Sequence, residues 1–173
     1  MPFKKLLTHV IFQPDRAQKR FLAKYCSNIR GKRILEIGSG KKVHKKLIYS
    51  VADFFRKNNN NITLSDINPE FGHKIVDITK SCPAGFDVIV CFSVLEHVFD
   101  FQNAIKNMHH SLKKGGTLLV LVPAFYPLHD EPCDYWRFTE HSLRKLFSSF
   151  SKIKLDYYGK REFPYFYFIA AAK

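Results

Sequence analysis

Three acids and two histidines stand where they could do chemistry in this sequence. Glu36, Asp66 and Asp77 each lie at the end of a short apolar run, and Gly38-Ser39-Gly40 follows the first of them. Carboxylates placed this way accept hydrogen bonds from hydroxyls and balance positive charge. Glycine in the loop permits unusual backbone angles and a close approach of main chain to a ligand. His97 follows a fourth apolar run, and His129 sits in the proline- and aromatic-rich stretch 123–139. Histidine titrates near neutrality, so either could accept a proton from an attacking hydroxyl.

These residues need strands to carry them. Runs at 33–37, 62–66, 74–77, 86–91 and 117–122 read as strands, and 86–91 is apolar throughout, as in a strand buried on both faces. Val43, Leu47, Ile48, Val51 and Phe55 recur at helical spacing and predict a crossover helix over about 43–57. Asp100 caps a predicted helix with Phe101, Ala104, Ile105, Met108 and Leu112 inward, ended by Gly115-Gly116. Thr139 starts another, with Leu143, Leu146, Phe147 and Phe150 on its apolar side. Runs 153–158 and 165–171 form an antiparallel edge. The fold class is α/β: a Rossmann-like doubly wound sheet of about seven strands, mostly parallel, with helices on both faces. We read residues 1–173 as one domain, with an arm over 1–12, a leading helix over 13–30 and a core over 31–173.

Composition narrows the partners. Of 173 residues, 46% are hydrophobic and 25% charged, which suits a folded domain rather than a disordered one. The longest apolar runs, 117–122 and 163–172, are too short to span a membrane, and no signal peptide is recognisable, so a cytoplasmic location is expected. Cys26, Cys82, Cys91 and Cys133 lack C-x-x-C spacing, so neither a zinc site nor a disulfide framework is expected, and no metal. The net charge of +13 suggests an anionic partner such as nucleic acid, a phosphorylated lipid or a nucleotide sugar; a merely solvated lysine-rich surface is the alternative. The lysines are scattered, with no aromatic-interleaved RNA motif.

Position 43 is valine, which removes the dinucleotide fingerprint and with it a nicotinamide dehydrogenase, and no phosphate-cradling G-x-x-x-x-G-K-[ST] loop is present. What remains, Glu36-Ile37-Gly38-Ser39-Gly40, resembles the first motif of class I S-adenosylmethionine-dependent methyltransferases. The resemblance extends over about residues 30–172, with Lys113-Lys114-Gly115-Gly116-Thr117 similar to the family's turn into its fifth strand. Lys42 departs from it, since many members have a third glycine there. The resemblance implies S-adenosylmethionine as cofactor. Gly38, Ser39 and Gly40 would admit its methionine part, and Glu36 would shape the loop or reach the amino group. Asp66 would accept from the ribose hydroxyls and Ile67 would press on the adenine. Asp77 and Ile78 would sit at the adenine edge, with Phe92 and Ser93 beside the sulfonium. As isolated acids, Asp66 and Asp77 would instead be read as caps of the turns at Pro69 and Thr79.

Ser93-Val94-Leu95-Glu96-His97-Val98 resembles a segment found after the fourth strand in the small-molecule branch of that family, the type 11-like subgroup, and places His97 near the methyl donor. The alternative is that His97 only orders its loop. The stretch His129-x-x-Pro132-x-Asp134-Tyr135-Trp136-Arg137-Phe138-Thr139 resembles small bacterial-type members associated with cell-envelope glycan assembly. In that reading His129, Asp134, Tyr135 and Arg137 face the acceptor, and His129 is a second candidate base. The alternative pairs Arg137 with Asp134 and leaves Trp136 and Phe138 in the core. The implied activity is O-methylation of a small-molecule, sugar or glycan-linked acceptor. An RNA methyltransferase and a non-catalytic cofactor-binding scaffold are the rival readings.

Overall fold

Aliphatic side chains alternate between the two faces of the central strands, and that alternation builds two apolar layers. In the computed structural model, which describes residues 13–43, 46–47 and 50–173, β1 (Arg33–Ile37) and β6 (Phe86–Phe92) lie side by side within a seven-stranded sheet. On one side follow β4 (Asn61–Asp66) and β5 (Lys74–Ile75). On the other follow β7 (Leu112–Pro123), β9 (Phe163–Ala172) and β8 (Lys152–Lys160). The strands pair in parallel from β5 to β7, and β9 runs antiparallel to both of its neighbours. This is the doubly wound sheet with an antiparallel C-terminal edge that the apolar runs predict.

Leu35, Ile37, Ile89 and Cys91 face one layer, with Ala104, Ile105 and Met108 of α3 (Phe101–Ser111) and Leu143 of α4 (Glu140–Leu146). Ile34, Val88, Val90 and Phe92 face the other, with Ala17 and Phe21 of α1 (Gln13–Phe21) and Phe55 of α2 (Ala52–Arg56). Phe21 stacks on Phe168 of β9 at 5.0 Å between ring centroids, which fixes α1 over the sheet. Burying side chains of this size contributes roughly 1.5–3 kcal/mol each. Asp100 accepts from Asn103 N–H at 3.1 Å, and Thr139 and Ser142 cap each other reciprocally, as their positions predict.

Three local expectations change. The crossover helix shrinks to α2, and in place of its first part Lys42–Val43 (β2) and Lys46–Leu47 (β3) form a small antiparallel pair. Lys41 with Lys45 and Lys42 with Lys46 would stack like charges at i,i+4 on a helix, which disfavours it. Ile48, part of the helical pattern, lies outside the described residues, as does the expected arm over 1–12. The leading helix runs from Gln13 to Phe21 and continues as a wider turn over Leu22–Cys26, short of residue 30. Finally, α3 stops at Ser111, before the glycine pair that was to end it. Gly116 lies inside β7, where a β-carbon would stand 2.9 Å from the Lys113 carbonyl oxygen and 3.1 Å from that of Asp87. Gly116 therefore serves close strand passage, not helix termination. Among the described residues no helix is long and apolar enough to cross a membrane.

Candidate active site

The chain winds outward in opposite directions from β1 and β6, so their carboxyl ends open a crevice where open α/β sheets bind ligands. A cavity of about 1160 Å³ lies there. The N-terminal end of α1 walls it through Pro14, Asp15 and Gln18.

Glu36 organises the floor from behind. It is 3% exposed and does not line the cavity. Its carboxylate accepts from Val51 N–H at 2.6 Å, Ser50 hydroxyl at 2.5 Å and Ser39 hydroxyl at 3.0 Å. Burial pushes its carboxyl up, and the three donors oppose that. Ser39 is fully buried and also tied to β4 through Ser65, so it is the outer residues of the loop, Gly38 and Gly40, that present backbone to the cavity. Gly38 has a φ of +71°, and a β-carbon there would collide with Val94 Cγ2.

Asp66 and Asp77 both line the cavity and both cap turns. Asp66 accepts from Gly40 N–H at 2.9 Å and Asn68 N–H at 3.0 Å, joining the glycine loop to the end of β4. Asp77 accepts from the Thr79 hydroxyl at 2.6 Å and N–H at 3.0 Å, and Lys80 stands 3.2 Å away. The Thr79 hydroxyl first, then Lys80, holds the Asp77 carboxyl below its usual range. Both Asp66 oxygens keep a further lone pair for a ligand hydroxyl, whereas Asp77 Oδ1 is filled by its two Thr79 donors and only Asp77 Oδ2 can accept more. Ile67, 65% exposed, lines the cavity with Phe71 and Ile78, an apolar wall suited to a flat heterocycle. Bare backbone at the glycines, acceptors at two strand ends and this wall fit an adenosyl cofactor.

After β6, Phe92 and Ser93 complete that side. Ser93 has a φ of +51°, a left-handed conformation that a non-glycine residue rarely holds outside functional sites. The sequence placed Ser93 at this position but did not mark its left-handed backbone.

The far end belongs to residues 123–139, which fold back over β6. Tyr135 and Trp136 donate their N–H groups to the Glu96 carbonyl at 2.9 and 3.1 Å, and His97 Nδ1 lies 3.0 Å from the Cys133 carbonyl. His97 and His129 consequently meet on the cavity wall with ring centroids 4.8 Å apart. Burial pushes His97 down, favouring the neutral ring at neutral pH. Tyr135 also lines the cavity, edge-on to the exposed Phe99 at 5.4 Å.

Asp134 and Arg137 do not face the cavity as expected. They form a two-pronged pair at 2.5 and 2.6 Å, with the Asp134 side chain 1% exposed. Arg137 also donates to the carbonyls of Tyr126, Pro127 and Trp136, so its fork is saturated by its own loop. The guanidinium holds the Asp134 carboxyl well below the usual range. Asp134 in turn accepts from His129 N–H at 2.9 Å and stands 3.2 Å from His129 Nδ1. The pair thus positions His129 instead of touching an acceptor. Glu96, which the sequence reading passed over, is wholly buried beneath, its carboxyl pushed up to about 8 by that burial.

A family model described as "Methyltransferase domain" matches residues 9–155. The tRNA U34 carboxymethyltransferase of Helicobacter hepaticus is 30% identical over 133 residues, covering 66% of this chain and 41% of that protein. The chain thus spans well under half the length of that relative. Among solved structures, a SAM-dependent methyltransferase from Archaeoglobus fulgidus superposes over 100% of both chains with a TM-score of 0.69 at 13% identity. One from Mesorhizobium loti gives 0.70 at 13% identity, over 91% of this chain and 98% of that one. At such identities the likeness is one of fold.

Proposed function

Because the chain belongs to the methyltransferase-domain family, we propose that it uses S-adenosylmethionine to methylate an oxygen of a small-molecule, sugar or glycan-linked acceptor. S-adenosylmethionine, when bound, supplies a methyl carbon already activated by its sulfonium. The chain's task is to hold, orient and keep dry. Gly38 and Gly40 take the methionine part, on a loop that Glu36 and Ser39 hold in shape. Asp66 accepts from the ribose, Ile67, Asp77 and Ile78 receive the adenine, and Phe92 and Ser93 flank the sulfonium. His97 and His129 activate the acceptor hydroxyl, while Phe99 and Tyr135 offer aromatic faces that suit a sugar ring. Asp134 and Arg137 act through His129, as positioning residues.

The observation that carries this reading is the meeting of His97 and His129 on the wall of the cavity that Asp66, Asp77, Gly38 and Gly40 also line. All four cysteines are free thiols, in keeping with a reducing, cytoplasmic setting. Calorimetric titration with S-adenosylmethionine and S-adenosylhomocysteine, followed by sugar and glycolipid acceptors, tests it. Saturable cofactor binding with turnover on a hydroxylated acceptor is expected; folded protein that binds neither would overturn it. RNA is the second reading, favoured by the +13 charge and by a relative named for tRNA. It predicts RNA affinity that falls steeply with salt.

A further inference from the structure

Glu96 is wholly buried, and neither oxygen of its carboxylate has a hydrogen-bond partner among the described residues. A buried group left unpaired in this way destabilises a fold, and more so when charged. Its main-chain carbonyl, by contrast, is used twice, by Tyr135 and Trp136. The side chain is therefore held in place by an anchored backbone while its own acceptors go unfilled.

One ligating atom from each of Glu96, His97 and His129 lies within 4.8 Å of the other two. Both imidazoles already use Nδ1 on their own loops: His97 at 3.0 Å from the Cys133 carbonyl, His129 at 3.1 Å from the Pro127 carbonyl and 3.2 Å from Asp134. Such an outer contact selects the tautomer whose Nε2 keeps its lone pair, the arrangement found behind metal-ligating histidines. Two imidazoles and a carboxylate, with room toward a cavity, suit first-row transition cations; magnesium prefers oxygen and fits poorly.

We propose that Glu96, His97 and His129 bind a divalent transition cation, of the zinc or cobalt type, at the acceptor end of the cavity. Ligand atoms about 2.1 Å from a shared tetrahedral ion stand about 3.4 Å apart, so side-chain rotation must bring the widest pair closer by up to about 1.4 Å to close the set. The site needs no further ionisable partner, since Arg137 is matched by Asp134. Its role, though not the binding itself, rests on the methyl-transfer reading. A cation held here leaves coordination positions for an acceptor hydroxyl and lowers that hydroxyl's pKa, so that the O–H bond breaks, the proton passes to bulk water and the oxygen keeps the electron pair. The histidines then activate the acceptor together, through the ion, with neither serving as the base.

The test is calorimetric titration of chelator-treated full-length protein with zinc chloride and cobalt chloride, with the visible spectrum of the cobalt form recorded. One equivalent is expected to bind, with d–d absorption bands that show imidazole and carboxylate ligation. Glu96→Gln, which keeps the shape of the protonated carboxyl, and His129→Ala are each expected to weaken binding at least tenfold while circular dichroism stays unchanged. Absence of saturable binding by wild type, or equal affinity in wild type and folded Glu96→Gln, would overturn the proposal. S-adenosylmethionine is titrated into the same samples: wild type that binds the cation but not the cofactor sinks the methyl-transfer reading and leaves the cation site standing.

Discussion

The two ends of the cavity are built by different means. At the glycine end the contacts join strand ends and the turns that leave them: Glu36 to Ser39, Gly40 to Asp66, Asp77 to Thr79, with Ser50 and Val51 at the start of α2 closing on Glu36. Strand order brings these groups together and short local segments complete the geometry. At the histidine end a long connection leaves β7, crosses the mouth and is pinned by a saturated ion pair and two carbonyls, those of Glu96 and Cys133. That geometry belongs to the side chains of this loop. On the proposed reading the first end serves what a family shares and the second what one member selects, because function sits on loops that a rigid scaffold positions. Substitutions at the two ends should therefore separate cofactor affinity from turnover.

The largest effect is expected at Gly38→Ala. The new methyl group meets Val94 and the residue must hold a positive φ, so the turn is strained twice. Cofactor affinity should fall by about 100-fold or more, which is about 2.7 kcal/mol, and the thermal midpoint should drop with it. Calorimetry and circular dichroism read the two separately. Unchanged affinity would mean that the loop is not the cofactor's seat.

Arg137→Ala should do the reverse. It leaves Asp134 buried without its cation, a change that typically destabilises by about 3 kcal/mol. It also frees the segment that carries His129. Turnover should fall tenfold or more with cofactor affinity held within about twofold. Arg137→Lys should not rescue it, because a single ammonium cannot reproduce the fork. Should turnover survive both changes, the loop's order is irrelevant to the acceptor. Asp66→Ala comes next. A roughly tenfold loss of cofactor affinity is expected, about 1.4 kcal/mol, with turnover at saturating cofactor nearly intact.

Legibility in the sequence follows the same division. β1, β4 and β6, with their terminal acids and glycines, were readable because apolar run length and glycine position are local signals. The crossover helix was misread because apolar spacing was weighed without the lysine pairs at i,i+4, and the ends of β5 and β7 moved because pairing, not composition, sets them. Asp134 and Arg137 were assigned outward from residue type alone. Nothing local says that two opposite charges three positions apart will saturate each other. Glu96 was invisible for a related reason: a glutamate beside a histidine looks exposed until the fold buries it. Ser93 was named through the family resemblance, but its backbone conformation had no signal, since a left-handed serine is a demand of the strand end it follows.

Asp77→Asn gives the smallest expected effect and the finest test of the contrast. The Thr79 hydroxyl and Lys80 keep the native carboxyl below its usual range, so the folded state favours the ionised form. That stability is present above the unfolded carboxyl's value, about pH 3.9, and is lost as pH falls through the lower folded value. Asparagine keeps the shape and can still accept from Thr79, but carries no charge. At pH 7 the variant should therefore be less stable by about 0.5 kcal/mol, since Lys80 is solvent-exposed and screened. Chemical denaturation repeated toward pH 2 should bring the two proteins together. Cofactor affinity should change by less than threefold, because the turn that shapes the adenine edge survives the loss of charge. A larger fall in affinity with an unchanged turn would mean that the charge itself meets the ligand, and the glycine end would then depend on side-chain chemistry as much as the histidine end does.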